Sequence, residues 1–236
     1  MKILIIHNKY REPGGEDMAV NSEIKLLKDF GHNVVVFESS NKDIQSLSLS
    51  RKINFLINDI IWSNETYWHI KDLVKREKPD VTHVHNVFYK ISPSVYYALK
   101  EERVPIVQTL HNYRLICPNA LLYRNGSVCE KCLGKSPIHS FLNRCWQDSF
   151  LLSFYLQRML SIHNRQRTFT DKVDLFIALS EFSRNKYIEA GFPAEKICVK
   201  PNFIEGSAVK RENFEDYALF IGRFEDYKGI NTLMAS

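Results

Sequence analysis

Residues 107–132, "VQTLHNYRLICPNALLYRNGSVCEKC", set an imidazole and three thiols close together, and a fourth thiol follows at Cys145. His111 comes directly after the apolar run "VPIVQTL". A side chain at the carboxyl end of a parallel strand sits where open α/β sheets bind ligands. There an imidazole can hydrogen-bond a substrate or move a proton, although a lone histidine is more often a structural residue. The thiols read Cys117-x11-Cys129-x2-Cys132-x12-Cys145. The Cys129/Cys132 pair has the spacing of a zinc knuckle, Gly134 relieves its turn, and the outer pair completes a four-thiolate set with no open position. That chemistry is structural, not nucleophilic; the alternative is four free thiols packed in a loop.

Two further groups follow from position. His83 and His85 alternate in "DVTHVHN", which puts them on one face of a strand. His85 and Asn86 lie nearest its carboxyl end, as cleft candidates or as packing residues. In "PGGED", Gly14 and Gly15 separate the first strand from the first helix, with Glu16 beside them. Glycines there let backbone N–H groups approach an anion at a helix N-terminus, and a plain turn is the equal alternative.

The elements that must position these residues alternate. "KILIIH" is a continuous apolar run, a strand covered on both faces. "MAVNSEIKLLKDFGH" places Ala19, Val20, Ile24, Leu27 and Phe30 at near-helical spacing, stopped by Gly31. "NVVVFESS" is a second buried strand. "IWSNETYWHIKDLVKREKP" is a helix with Ile70, Leu73 and Val74 inward, followed by "DVTHVHN" (strand), "SPSVYYALKEER" (helix, Pro93 near its start) and "VPIVQTLHN" (strand). After the cysteine loop, "DLFIALS", "EFSRNKYIEAG" and "ICVKPNFI" read strand, helix, strand, with Cys198 as a buried strand thiol. The class is α/β: a Rossmann-like, doubly wound parallel sheet. The polar stretch "EGSAVKRENFEDY" reads as a linker, and "YALFIGRFEDYKGINTLMAS" as a new strand, a loop and the start of a helix.

Bulk properties set the outer limits. The 236 residues are 44% hydrophobic and 25% charged, an ordinary globular composition. Net charge is +5, spread along the chain, as on a mildly basic enzyme surface; anionic lipid, nucleotide or nucleic acid are the other partners such a balance allows. No apolar run is long enough to span a bilayer. The first apolar run is too short for a signal peptide, so the expected compartment is the cytoplasm. In that reducing setting a cysteine cluster reads as metal-binding sooner than disulfide-bonded.

The order of "PGGED", "GHNVVVF", "DVTHVHN", "TLHNYR", "LFIALSEFSRNKYIEAGFPAEKICVKPNFI" and "YALFIGRFEDYKGINTLMAS" resembles the successive landmarks of the family 4 glycosyltransferases. The resemblance implies a GT-B enzyme: an amino-terminal, acceptor-side Rossmann-like domain (1–205), a linker (206–216) and the beginning of a donor-binding domain (217–236). It implies transfer of a hexose from a UDP- or GDP-sugar, with retention and without a catalytic metal, to a glycan or lipid-linked acceptor; nucleic acid is not an expected partner. His111 would contact the transferred sugar. The Gly14–Gly15–Glu16 loop would reach the donor diphosphate or the acceptor, and Gly222, Arg223 and Lys228 would hold the donor phosphates. Asn112 stands where the family often has Asp, so a carboxylate role at that position is not expected here.

The family's donor-side E-x7-E region is not among residues 217–236. A fragment, a truncated gene and a separately encoded donor domain all fit that absence, and in each case this chain alone is expected to lack a complete active site. The rival is a non-catalytic, zinc-stabilised module binding a glycan or partner. The aromatic and basic segment "FLNRCWQDSFLLSFYLQRMLSIHNRQR" would either touch the inner face of the plasma membrane, as in relatives using lipid-linked acceptors, or pack as a core helix.

Overall fold

The computed structural model describes residues 1–235 apart from 13, 45, 205–215, 218 and 223. The continuous apolar runs become the strands of one parallel sheet: β1 (Lys2–Lys9), β2 (Asn33–Ser40), β3 (Val81–Asn86) and β4 (Ile106–Leu110). A two-residue hairpin, β5 (Tyr123–Arg124) and β6 (Ser127–Val128), lies in the cysteine loop, and β7 (Leu175–Ala178) and β8 (Ile197–Val199) complete the sheet. Its order is β2-β1-β3-β4-β7-β8. The helices between strands are α1 (Gly15–Asp29), α2 (Leu49–Asn54), α3 (Asn64–Glu77), α4 (Ser94–Glu101), α5 (Ile138–Leu142), α6 (Phe150–Arg165), α7 (Thr168–Lys172) and α8 (Glu181–Glu189).

Period-two alternation in β1 sends Leu4 and Ile6 into the large core beneath α3, α4 and α6. It sends Ile3 and Ile5 into a smaller core with Val20 of α1. Burial on both faces is why β1 reads as unbroken apolar sequence. Helix signals act as expected: Ser63 caps α3 by accepting from Thr66 N–H at 3.2 Å, and Gly31 ends α1 with φ +78°.

Four expectations are corrected. β2 is an edge strand, half-buried along its length, because only β1 flanks it. Phe30 lies past the last turn of α1 and is 76% exposed. Cys198 is exposed, because β8 is the opposite edge. The described residues of 216–235 form a 3-10 turn (Asp226–Lys228) and a short helix, α9 (Ile230–Ala235), but no strand; a strand needs a ladder partner for its N–H and C=O groups. Most of the linker, 206–216, lies outside the described residues.

Candidate functional site

The sheet turns back on itself between β1 and β3: the chain passes from β1 to β2 on one side, then returns to β3, β4, β7 and β8 on the other. In such sheets the crevice at the carboxyl ends beside that reversal is where ligands bind. Here those ends carry His7, Asn8, His85 and Asn86, with His111 one residue beyond β4. Pairing of β1 with β3 shifts register between Ile6, opposite Val84, and His7, opposite Asn86. His85 is therefore an extra residue on β3, the kind of bulge that re-aims a side chain at a strand end.

His83, His85 and His111 stack in sequence. The His83 and His85 rings are 4.1 Å apart and those of His85 and His111 5.3 Å apart, with His85 Nδ1 and His111 Nε2 sharing a proton-mediated contact at 3.0 Å. His85 Nε2 is buried without a hydrogen-bond partner. Burial first, then the neighbouring imidazoles, holds His85 well below its ordinary value and His111 down to about 4. Both rings are neutral at neutral pH, so each can donate and accept one hydrogen bond. His83 is the base of the stack, bonded to Glu23 of α1 at 2.9 Å and to the Thr109 hydroxyl at 2.8 Å.

Glu16, in the first turn of α1, faces the same end. Its Oε2 accepts from the Tyr10 hydroxyl at 3.0 Å and from Asn112 Nδ2 at 3.3 Å, while Oε1 is buried and unbonded. Burial raises the carboxyl to about 7, although the Tyr10 and Asn112 bonds and the Arg114 charge pull the other way. Tyr10 keeps its proton, its own value pushed up by burial and by Glu16. Asn112 is fixed at each group: Oδ1 accepts from Arg114 N–H at 2.9 Å, and its carbonyl accepts from the Tyr187 hydroxyl at 2.6 Å. Glu16 is linked to the histidine cluster through Asn112, the residue after His111, and a carboxyl poised near neutrality can accept a hydrogen bond from a hydroxyl once ionised. The cavity against His85, His111 and Asn112 is only about 20 Å³, room for roughly one water.

The structure thus brings His111, His85, Asn112 and Glu16 together. Asn86 is at the same end, but its side chain is consumed by backbone: it donates to the Asn8 carbonyl at 3.0 Å and accepts from Phe88 N–H at 2.9 Å. Gly14 caps α1, yet its N–H goes to Asp17 Oδ2 at 2.8 Å, so that donor is not held open for an anion. A side chain at Gly15 would meet nothing within 4 Å. Gly222 and Lys228 are exposed on the later segment, Lys228 over the Tyr227 ring, and no bond of the histidine cluster reaches them; Arg223 lies outside the described residues. Cys117 is buried after β4, and Cys129, Cys132 and Cys145 are half-buried, all as free thiols. The segment read as membrane-touching or core has Trp146 and Leu156 buried and Phe150, Leu151 and Phe154 exposed.

His7, Tyr10, Asp17 and Glu23 were not singled out by sequence. His7 Nε2 donates to Asp17 Oδ1 at 2.9 Å, with both side chains buried. The available signal was a polar triplet, "HNK", closing an apolar strand.

A family model described as Glycosyltransferase Family 4 matches residues 13–206. A 42.6 kDa protein in the cps region of Klebsiella pneumoniae is 25% identical over 262 aligned residues, covering 98% of this chain and 63% of that protein. The chain therefore spans less than two thirds of that relative. Among solved structures, the S. aureus MnaA–UDP co-structure is 15% identical with a TM-score of 0.47, covering 85% of this chain and 44% of that one. MurG from Acinetobacter baumannii is 11% identical with a TM-score of 0.42, covering 88% and 47%.

Proposed function

The chain belongs to glycosyltransferase family 4, and from that premise we propose that it forms the acceptor side of a retaining hexosyltransferase. The observation that carries this reading is the placement, at one end of the sheet, of neutral His111 and of Glu16, which is bonded to the next residue, Asn112, has its carboxyl raised to about 7 and keeps one oxygen unbonded. His111 hydrogen-bonds the sugar being transferred and stabilises the positive charge that develops on it. Glu16 receives and orients the acceptor hydroxyl. The leaving phosphate of the nucleotide-sugar takes the acceptor proton on the same face, so configuration is retained without a second carboxylate. The donor, a UDP- or GDP-hexose, is held by a second domain whose phosphate-binding residues include Gly222, Arg223 and Lys228. That domain begins near residue 217. No catalytic metal takes part.

The acceptor is a glycan or lipid-linked saccharide. Exposed Phe150, Leu151 and Phe154, with the Arg144 guanidinium 5.4 Å from the Phe150 ring centre, support a peripheral contact with a lipid surface. No helix among the described residues is long and apolar enough to cross a membrane. Co-sedimentation with anionic vesicles checks that contact, and failure to bind them contradicts it.

The test of the activity is transfer of label from UDP- and GDP-hexoses to a lipid-linked saccharide fraction. The whole gene product is assayed, and the chain combined with any separately encoded donor half. Transfer with retained anomeric configuration supports the reading; nucleotide-sugar turnover without glycan product contradicts it.

A further inference from the structure

We propose that Cys117, Cys129, Cys132 and Cys145 form a structural four-thiolate site for one zinc ion, which holds the loop between β4 and α6 against the sheet. The loop needs such a device. Between His111 and Ser149 the regular elements are two two-residue strands and the five-residue α5. A segment this long with so little secondary structure has few ladder bonds to order it. Its tip is solvated: Val128 of the hairpin is 75% exposed.

The four thiols are carried by three places in that one loop. Cys117 lies on the turn after β4, where its carbonyl accepts from Ala120 N–H at 2.8 Å. Its sulfhydryl meets Asn119 Oδ1 at 3.0 Å, and Asn119 Nδ2 in turn donates to the Tyr123 carbonyl at 2.7 Å. Cys129 closes the β5–β6 hairpin by donating to the Leu122 carbonyl at 2.9 Å. A hairpin running straight into Cys-x2-Cys is the arrangement of zinc knuckles and ribbons. Ser140 joins the other two segments: its backbone neighbours the Cys132 sulfur, and its carbonyl accepts from Cys145 N–H at 2.9 Å. Cys117, Cys145 and Cys129 are the electrostatic neighbours of the Cys132 sulfur. Gly134, two residues on, has φ +62°, and an added Cβ would come within 3.2 Å of the Glu189 carbonyl; the turn after the knuckle is therefore pressed against the end of α8. None of the four is in a disulfide.

Charge supports the same assignment. Four thiolates around Zn²⁺ carry two net negative charges. Arg124, on the hairpin and an electrostatic neighbour of Cys145, has a buried Nε with no hydrogen-bond partner. Binding converts four thiols to thiolates, four Zn–S bonds form, and four protons pass to solvent; no oxidant or reductant is needed. The thiols are drawn inward on binding. The group of described residues whose donor atoms already lie within 4.8 Å of one another is Glu23, His83 and His85, not the cysteines. That group is the weaker candidate. Glu23 and His83 already satisfy each other, and the Lys200 ammonium lies 3.4 Å from Glu23, competing with any cation.

The assignment is independent of the glycosyl-transfer reading. Its test is elemental analysis of the chain purified without chelator, followed by Co²⁺ titration of the reduced, metal-free chain under argon. The expected result is one zinc per chain and, with cobalt, a thiolate-to-metal charge-transfer band with tetrahedral d–d absorption. Cys132→Ser is expected to lose most of that absorption and lower the melting temperature. If that variant does not fold, thiol titration of the unaltered protein with and without chelator decides: four of the five thiols should be protected until zinc is removed. Absence of zinc together with no charge-transfer band overturns the proposal. So does cobalt bound without thiolate absorption, which would place the metal on Glu23, His83 and His85 instead.

Discussion

His85 of β3 and His111, one residue past β4, face each other across the carboxyl end of the sheet, with Nδ1 and Nε2 3.0 Å apart and ring planes inclined by 28°. One ring must donate and the other accept. The pair is therefore stable as two neutral imidazoles, and a proton added to either one breaks the contact or places a charge where burial opposes it. The pair also sets His111 in a fixed orientation, with its remaining nitrogen turned away from His85.

Acid should destabilise the domain through this pair. Burial holds His111 down to about 4 in the folded chain, against the ordinary imidazole value of 6.5 when unfolded, and His85 is shifted in the same direction. Between those values the unfolded chain binds more protons, so stability falls as pH drops from about 6.5 toward 4. His111→Gln should flatten that fall. Melting temperatures at about pH 5 and pH 7.5 check it; an equal acid loss in both proteins would contradict the burial argument.

Glu16 has the opposite sign. Its carboxyl is raised from 4.5 to about 7 on folding, so the folded chain holds the extra proton and stability declines as pH rises through that window. Glu16→Gln should raise stability by about 1–3 kcal/mol near pH 8 and change little near pH 4. In the transfer reaction, wild-type rate should climb as pH passes about 7, and the variant should lose that limb. A pH–rate profile with the limb still present in Glu16→Gln assigns it to another group.

Asp17 serves two partners, the buried His7 ring and the Gly14 N–H that opens α1. Asp17→Ala should cost about 2–4 kcal/mol, by loss of the cap and by leaving His7 unpartnered. Urea midpoints measure this; a change within about 0.5 kcal/mol, the scatter of ordinary surface substitutions, would refute the double role.

Tyr187 is fully buried and its hydroxyl donates to the Asn112 carbonyl at 2.6 Å. Tyr187→Phe keeps the packing and removes that bond, with an expected cost of about 1–2 kcal/mol. Because Asn112 follows His111, the variant should also lower kcat more than it raises KM. An unchanged kcat would mean that the turn is held without it.

What the sequence made legible follows from how local each determinant is. β1 could be read because both faces of a central strand are apolar, and α1 because its stripe and Gly31 lie within fifteen residues or so. The exposure of β2 and Cys198 could not, because edge position depends on strand order, a property of the whole chain. The place of His111 at a strand end could be read, whereas its role is what the family resemblance implies. Its orientation was hidden, since it depends on the bulge that inserts His85 between the register of Ile6 and that of His7. The His7–Asp17 pair was hidden for the same reason: ten residues and a turn separate its members, and only folding β1 against α1 makes them partners. Cys-x2-Cys was visible because its spacing is itself the motif, whereas Arg124 and Ser140 became relevant only once the loop was folded.

The central claim is that His111 meets the transferred sugar. Its most direct test is the kinetics of His111→Ala on the gene product with its donor-binding half present, at saturating nucleotide-sugar and varied acceptor. The account predicts a kcat lower by about 10²–10³-fold with acceptor KM changed only a few-fold, as expected when a contact strengthens in the transition state. A kcat within about two-fold of wild type, in a variant that folds, would contradict it.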